Sequence, residues 1–309
     1  MDCIKCKEKA VYRHNTLALC RNHFLTYVEE KVESTIRRYK LMQKDDIVCV
    51  ATSGGKDSLT VLYMTMLHCK KYGIGFFALA IDEGIENYRD HTLDDLKVFC
   101  SKYDIKLNIV SFKDRFNYSL DNMRDNLKEK TNKKPCTICG IFRRKLLNEA
   151  SRELKATKLV TGHNLDDEAQ SYLMNVLKGN MGHNAGLGPI TGLNKNEKFV
   201  ARVKPLYFVA EKETRLYAFL RGFKTEFNEC PNIELSFRAY VRDRLNEIEN
   251  KFPGAKQATV NSFLEILPML KERYKGRKDF SNCIRCGDPP SGDVCNSCLL
   301  EEELCKEAR

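Results

Sequence analysis

Short, nearly uninterrupted apolar runs alternate in the central part of the chain with longer stretches whose apolar residues recur every three to four positions. The runs are residues 47–52, 76–81, 107–112 and 157–161; the stretches with helical spacing are 59–71, 93–102, 143–154 and 167–178. Runs without polar alternation are what strands buried on both faces look like. Strands separated by helices of about 10–15 residues predict a parallel sheet covered on both sides, an α/β fold. Five glycines within 179–192 mark a loop. Beyond it the pattern turns mostly helical, at 212–221, 237–251 and 257–274, with one further strand expected at 223–227. A long charged helical stretch to about residue 44 precedes the first strand, and Cys-rich segments close both ends. The expected organisation is a small N-terminal module (1–25), a central α/β domain whose later part is helical (26–278) and a small C-terminal module (279–309).

Composition narrows the class. Of 309 residues 42% are apolar and 30% charged, ordinary for a soluble globular protein. No apolar run reaches membrane-spanning length and the N-terminus lacks the apolar core of a signal peptide, so a cytoplasmic protein is expected, with no membrane partner. The 52 Lys and Arg against 42 Asp and Glu leave +10, which suits a polyanionic partner. Eight of the 14 cysteines form close pairs, at Cys3/Cys6, Cys136/Cys139, Cys283/Cys286 and Cys295/Cys298. In a chain of enzyme size without a signal peptide, such pairs read as metal ligands rather than disulfides.

The two terminal sets are complete in themselves. Cys3-x2-Cys6-x13-Cys20-x2-His23 and Cys283-x2-Cys286-x8-Cys295-x2-Cys298 each offer four ligands in paired spacing, the signature of closed structural Zn²⁺ sites. Iron is the main rival at the all-Cys site. Two Zn²⁺ are therefore expected, with no open coordination position for catalysis. Cys49, Cys69, Cys100 and Cys305 fall outside every set, and the first three sit where small buried residues are the default.

The sharpest motif is Ser53-Gly54-Gly55-Lys56-Asp57-Ser58, directly after a strand and opening a helix. Successive glycines let backbone N–H groups close around phosphate oxygens, the helix N-terminus adds partial positive charge, and Lys56 adds a full one. It is not a Walker A loop, since GxxxxGK[ST] is absent. A second motif, Thr161-Gly162-His163-Asn164-Leu165-Asp166-Asp167-Glu168, leads from the fourth strand into a helix. Its adjacent carboxylates serve either as N-capping groups or as a Mg²⁺ ligand or acid–base group beside a nucleotide. His163 either meets phosphate or caps the turn, and His183 in the glycine loop reads as a solvated residue.

At SGGKDS and at the LDD of the second motif, the chain resembles the PP-loop tRNA 2-thiouridine synthetases, which cleave ATP to AMP and pyrophosphate. The resemblance covers essentially the whole chain. It implies a PP-loop ATPase domain with ATP and Mg²⁺ as ligands, tRNA as partner, sulfide or a sulfur-carrier protein as donor, and a homodimer. It implies nucleotide contacts from Ala51, Ser53, Gly54, Gly55, Lys56, Asp57, Ser58, Ile81, Gly162 and His163. Lys56, Asp167 and Arg143 form the expected catalytic set; Arg143 lies four residues beyond Cys139 and could reach ATP or RNA phosphate.

Cys136-Thr137-Ile138-Cys139 alone is ambiguous between a redox dithiol, half a zinc site and a cluster site. The resemblance adds Cys230, 90 residues further on, and assigns all three to a [4Fe–4S] cluster with one iron open. The implied reaction adenylates the C2 oxygen of a uridine and replaces it with sulfur, the open iron keeping hydrosulfide deprotonated. A cysteine persulfide on the same three residues would make the cluster unnecessary. Basic segments at 130–134, 143–145 and 271–278 flank these sites and suit phosphate-backbone contacts. Two other readings compete: a 2-thiocytidine or lysidine-type adenylating enzyme, and a non-catalytic RNA-binding zinc protein with a vestigial loop. Lys56, Asp57 and Asp167 argue against the last, and the terminal modules with Cys230 against the first.

Overall fold

A computed structural model describes residues 1–14, 16–128, 130–192, 198–224, 230, 237–275, 283–287 and 293–305. Its centre is a five-stranded, all-parallel sheet of β3 (Ile47–Ala51), β4 (Gly75–Asp82), β5 (Leu107–Ser111), β6 (Lys158–Val160) and β7 (Ala201–Val203), in the order β5-β4-β3-β6-β7. Alternate residues of each strand feed separate cores, as the two-residue side-chain period demands. Val48, Val50, Ala78 and Ala80 join one core with Leu59 and Leu62 of α2 (Lys56–Tyr72) and Phe99 of α3 (Arg89–Lys102). Cys49, Phe77, Leu79 and Leu159 join the other with Ala150 of α6 (Pro135–Glu153). The sheet is thus covered on both faces, and the four predicted strands and the helices between them are present. At the expected strand 223–227, Phe223 and Lys224 are non-strand, and 225–227 lie outside the described residues.

Chain order and sheet order part company at one place. From β3 the chain moves to β4 and β5 on one side, then crosses back to place β6 on the other side of β3. In open parallel sheets the crevice beyond the strand ends at such a reversal is where ligands bind. The loops after β3 and β6, which carry the two motifs, both open into it.

Several elements have no clear periodic signature in the sequence. A hairpin of β1 (Tyr12–His14) and β2 (Leu17–Leu19) builds the N-terminal module and runs into α1 (Arg21–Tyr39). Short helices α4 (Phe112–Phe116) and α5 (Leu120–Leu127) follow β5, and α8 (Met181–Ala185) interrupts the expected glycine loop after α7 (Leu165–Leu177). The later helices are α9 (Glu211–Arg221), α10 (Phe237–Lys251), α11 (Ala255–Tyr274) and α12 (Asn296–Cys305). No helix among the described residues is long and apolar enough to cross a membrane.

Candidate nucleotide and thiol site

The loop after β3 depends on Gly54. It sits at φ +87°, and a Cβ there would lie 2.5 Å from the carbonyl oxygen of Thr92, so an L side chain is excluded by conformation and by contact. Gly55, with extended backbone, then starts α2 without a side-chain cap, and the first N–H groups of a helix have no acceptor within it. Ser58 Oγ donates to Gly55 O at 2.8 Å, with Ser53 Oγ at 3.3 Å and Thr52 Oγ1 at 3.4 Å. The second loop comes close: a Cβ on Gly162 would lie 3.1 Å from Asp57 O and 3.2 Å from Ser58 N. A glycine at 162 is what lets the β6 loop press against the start of α2.

Between the two loops lies a cavity of about 470 Å³. Of the sequence-derived nucleotide residues, Ala51, Ser53, Asp57, Ser58, Ile81, Gly162 and His163 line it, together with Arg143 and Asp167. Gly54 and Gly55 frame the loop behind this lining. Lys56 does not line the cavity: its ammonium is 2.9 Å from Asp57 Oδ2 and 3.0 Å from Glu211 Oε1.

The carboxylates of the second motif have divided roles. Asp166 is buried, receives Glu211 N–H at 2.8 Å and pairs with Lys256 Nζ, so it ties α7 to α9 and α11. Asp167 closes a capping box with Asn164: its N–H reaches Asn164 Oδ1 at 3.1 Å, and its Oδ2 accepts from Asn164 N–H at 3.2 Å. It also faces the cavity, where desolvation by the walls raises its pKa to about 6, against the pull of Asn164 N–H and of Arg238 at 3.7 Å. Capping and exposure to the cavity are therefore properties of one side chain. His163 opens to the cavity with Nδ1 2.9 Å from Thr161 Oγ1. Desolvation by the enclosing walls and the cations Lys204, Arg238, Arg202 and Arg143 lower its pKa to about 3, so it is a neutral imidazole.

Four charged lining residues were not singled out in the sequence: Glu83, Arg89, Arg202 and Lys204. Arg89 is 3% exposed and pairs with Glu83 at 2.9 Å. Its guanidinium donates to Ile81 O at the end of β4 and to Ser53 O at 2.7 Å, so it clamps the PP-loop to the neighbouring strand. Lys204 makes a buried ion pair with Glu168 at 2.6 Å. The Arg202 pKa is lowered to about 10 by burial and by nearby Arg144. Guanidiniums crowded together in this way favour a polyanion in the cavity. Glu83 and Lys204 stand just beyond strand ends, and that placement is the signal that could have found them.

Cys136 and Cys139 occupy the first turns of α6, which starts at Pro135, eight residues before the expected helix. Cys139 and Cys230 pack against the same apolar cluster, built on Phe142, Leu146 and Met123. Burial pushes the Cys139 thiol up to about 12 against the pull of Arg143, and it feels the charges of both Cys230 and Cys136. The three are neighbours, and Arg143, one turn on, interacts with Cys139, Cys230 and Glu83 while lining the cavity. Thiols beside a guanidinium, two on one helix and one from another segment, are a donor set that suits an iron–sulfur cluster.

At each end four ligand atoms lie within 4.8 Å of one another: Cys3, Cys6, Cys20 and His23, and Cys283, Cys286, Cys295 and Cys298. Sulfur–sulfur separations are 3.7 Å for Cys6–Cys20, 3.9 Å for Cys283–Cys298 and 3.6 Å for Cys286–Cys295. A tetrahedron of sulfurs about 2.3 Å from a central ion has an edge of about 3.8 Å. Both groups have the size and chemistry of a four-coordinate metal site, with His23 presenting Nδ1 at 3.3 Å from Cys3 and Cys20.

Comparison with known proteins agrees with this geometry. A family model described as a PP-loop domain matches residues 25–249. The tRNA 2-thiolation protein NcsA of Haloferax volcanii is 34% identical over 98% of this chain and 99% of its own length. The tRNA-5-methyluridine(54) 2-sulfurtransferase of Pyrococcus horikoshii is 35% identical over 96% of this chain and 93% of its own. Among solved structures, the U34-tRNA thiolase NcsA from Methanococcus maripaludis, with its [4Fe-4S] cluster, superposes with a TM-score of 0.84 at 34% identity, covering 98% of this chain and 96% of that one.

Proposed function

The chain belongs to the PP-loop family of tRNA 2-thiolation enzymes, and from that premise we propose its reaction: ATP-dependent replacement of the C2 oxygen of a tRNA uridine by sulfur. Arg143 is the observation that carries the reading, because one guanidinium faces both the thiols of Cys139 and Cys230 and the cavity behind the PP-loop. The uridine oxygen attacks the α-phosphorus of ATP, pyrophosphate departs, sulfide adds at C2, and AMP leaves with the oxygen.

The chain's own groups serve those steps. Backbone N–H groups at the start of α2 and the hydroxyls of Ser53 and Ser58 receive the phosphates. Arg143, Arg202 and Lys204 offset the charge that builds on departing pyrophosphate. Asp167 holds Mg²⁺ on the nucleotide or moves a proton, while Ala51 and Ile81 offer apolar contact to the base. Cys136, Cys139 and Cys230 would hold a [4Fe–4S] cluster, which when bound would supply Lewis acidity toward sulfide. The terminal groups would hold two structural Zn²⁺. Sulfide or a sulfur-carrier protein is the donor in this reading, and the enzyme is a cytoplasmic homodimer.

Metal content after anaerobic purification tests the proposal. About four Fe and two Zn per chain are expected, with a broad band near roughly 400 nm. Iron should be lost in Cys136→Ala, Cys139→Ala and Cys230→Ala. Zinc without iron after anaerobic reconstitution would overturn the cluster and turn attention to a persulfide on the same residues. Mass spectrometry of the modified nucleoside identifies the base, and of nuclease-cut fragments places the sulfur at position 34 or 54, the positions named for two relatives of similar identity.

A further inference from the structure

Lys56, the one cation of the PP-loop, is held between two carboxylates rather than in the cavity it is expected to serve. The Asp57 carboxylate and the backbone of Glu211 are fixed from behind. Asp57 Oδ1 accepts from Thr214 Oγ1 and, at 3.3 Å, from Asn164 Nδ2. Glu211 opens α9, where its N–H donates to buried Asp166 at 2.8 Å. Two residues on, Glu213 is 2% exposed and accepts from Tyr12 at 2.8 Å, Tyr27 at 3.1 Å, Lys31 at 2.8 Å and Ala210 N–H at 2.8 Å. The start of α9 is therefore a pinned platform, whereas Lys56 is a compact charge on a rotatable four-carbon stem. Glu211 has a second cation at hand, Arg215 Nη2, 3.6 Å away and one turn along the same helix. If the lysine turns away, the carboxylate it leaves keeps a partner.

We propose that Glu211 is a positioning residue for the nucleotide reaction: it competes with the polyphosphate for Lys56, and Arg215 takes over its carboxylate when the lysine swings to the phosphates. The loop then meets ATP by exchanging one ion pair for another, without exposing an orphan charge. The inference rests on the nucleotide reading of the cavity given above.

The test is the dissociation constant of Mg²⁺–α,β-methylene-ATP for the full chain with its metals, measured calorimetrically. Glu211→Gln should bind about two- to fivefold tighter, the range of a part-exposed ion pair. Glu211→Asp, which keeps the charge, should lie between Gln and wild type. In a Lys56→Ala background the gain from Glu211→Gln should vanish. Unchanged or weaker binding by Glu211→Gln overturns the assignment. So does a gain that persists without Lys56, since it would report only the removal of a negative charge near phosphate. Should Glu211→Gln fail to fold, Arg215→Gln carries the test: binding about twofold weaker supports the exchange and no change overturns it. Wild-type protein that fails to bind the analogue overturns the nucleotide reading itself. Wild-type binding that Lys56→Ala weakens and Glu211→Gln leaves flat removes only the role of Glu211.

Discussion

The two terminal modules each gather four ligand side chains, three Cys and a His at one end and four Cys at the other, and are built into the molecule in different ways. Cys3 and Cys20 belong, with Tyr12, Leu19 and Phe24, to the core that also holds Val48 and Val50 of the central strand. Cys283, Cys295 and Cys298 form a small cluster of their own, and among the described residues it is α12, which carries Cys298, that reaches a larger core, through Leu300 and Leu304. Each module also braces a different half of the site. The N-terminal one holds α9 through Tyr12 and Glu213, and α9 in turn holds Lys56 and Asp57. The C-terminal one holds the cysteine-bearing α6 through Lys145 and Glu301 at 2.6 Å, and Lys130 beside it donates to Glu303 O. A four-ligand group can thus sit within the main core or bolt onto one helix, and the surrounding packing decides which.

The largest contrast should come from removing one ligand at each end. Cys3→Ser should lower the main melting transition by about 10 °C or more, because structural metal affinity is worth several kcal/mol and each kcal/mol about 2–4 °C. Cys283→Ser should leave that transition within about 3 °C, yet release iron faster from the thiol site. Equal shifts in the two variants would break the distinction.

Next in size is Asp167→Asn, expected to lower turnover about 100-fold while nucleotide binding and iron content persist. Its carboxylate rises from 3.8 to about 6 on folding, so activity that needs the ionised form should fall as pH drops through about 6. The folded chain binds this proton more tightly than the unfolded one. Its contribution to stability is therefore fully present below 3.8 and lost as pH rises through about 6. A pH–rate profile whose acid limb survives in Asp167→Asn would assign that limb elsewhere.

The smallest effects sharpen the comparison most. Tyr12→Phe removes one of four donors to Glu213 and should cost about 1 kcal/mol. It should change nucleotide affinity and leave iron retention alone. Lys145→Ala breaks a part-buried pair worth about 1 kcal/mol and should do the reverse. Urea unfolding, nucleotide titration and iron release on the two variants read the cross-over directly.

The parts legible in the sequence were those in which a pattern repeats. β3, β4, β5 and β6 are apolar runs, and the helices after them carry a clean stripe, so the sheet and both cavity loops could be placed. β7 is three residues long, Ala201–Val203, and gives no run to see. Missing it hid Lys204, which stands at its end beside the cavity. The start of α6 was misplaced because Pro135–Gly140 has no apolar period, although a proline at the first helical position is itself a start signal. Arg89 carries no local mark at all, since its role exists only once Ser53 and Ile81 are brought together. For Asp167 the sequence offered capping or chemistry as alternatives, and the geometry puts capping and exposure to the cavity on one carboxylate.

The bond from Tyr12 to Glu213 spans 201 residues of chain. A ribosome adding about 5–20 residues per second needs roughly 10–40 s between the two. All four side chains of the first candidate metal group lie within the opening 23 residues. If they hold an ion as proposed, the hairpin can take it up during synthesis, before α9 emerges to receive it. A metal shortage would then act on the nascent chain, long before there is an enzyme to inactivate.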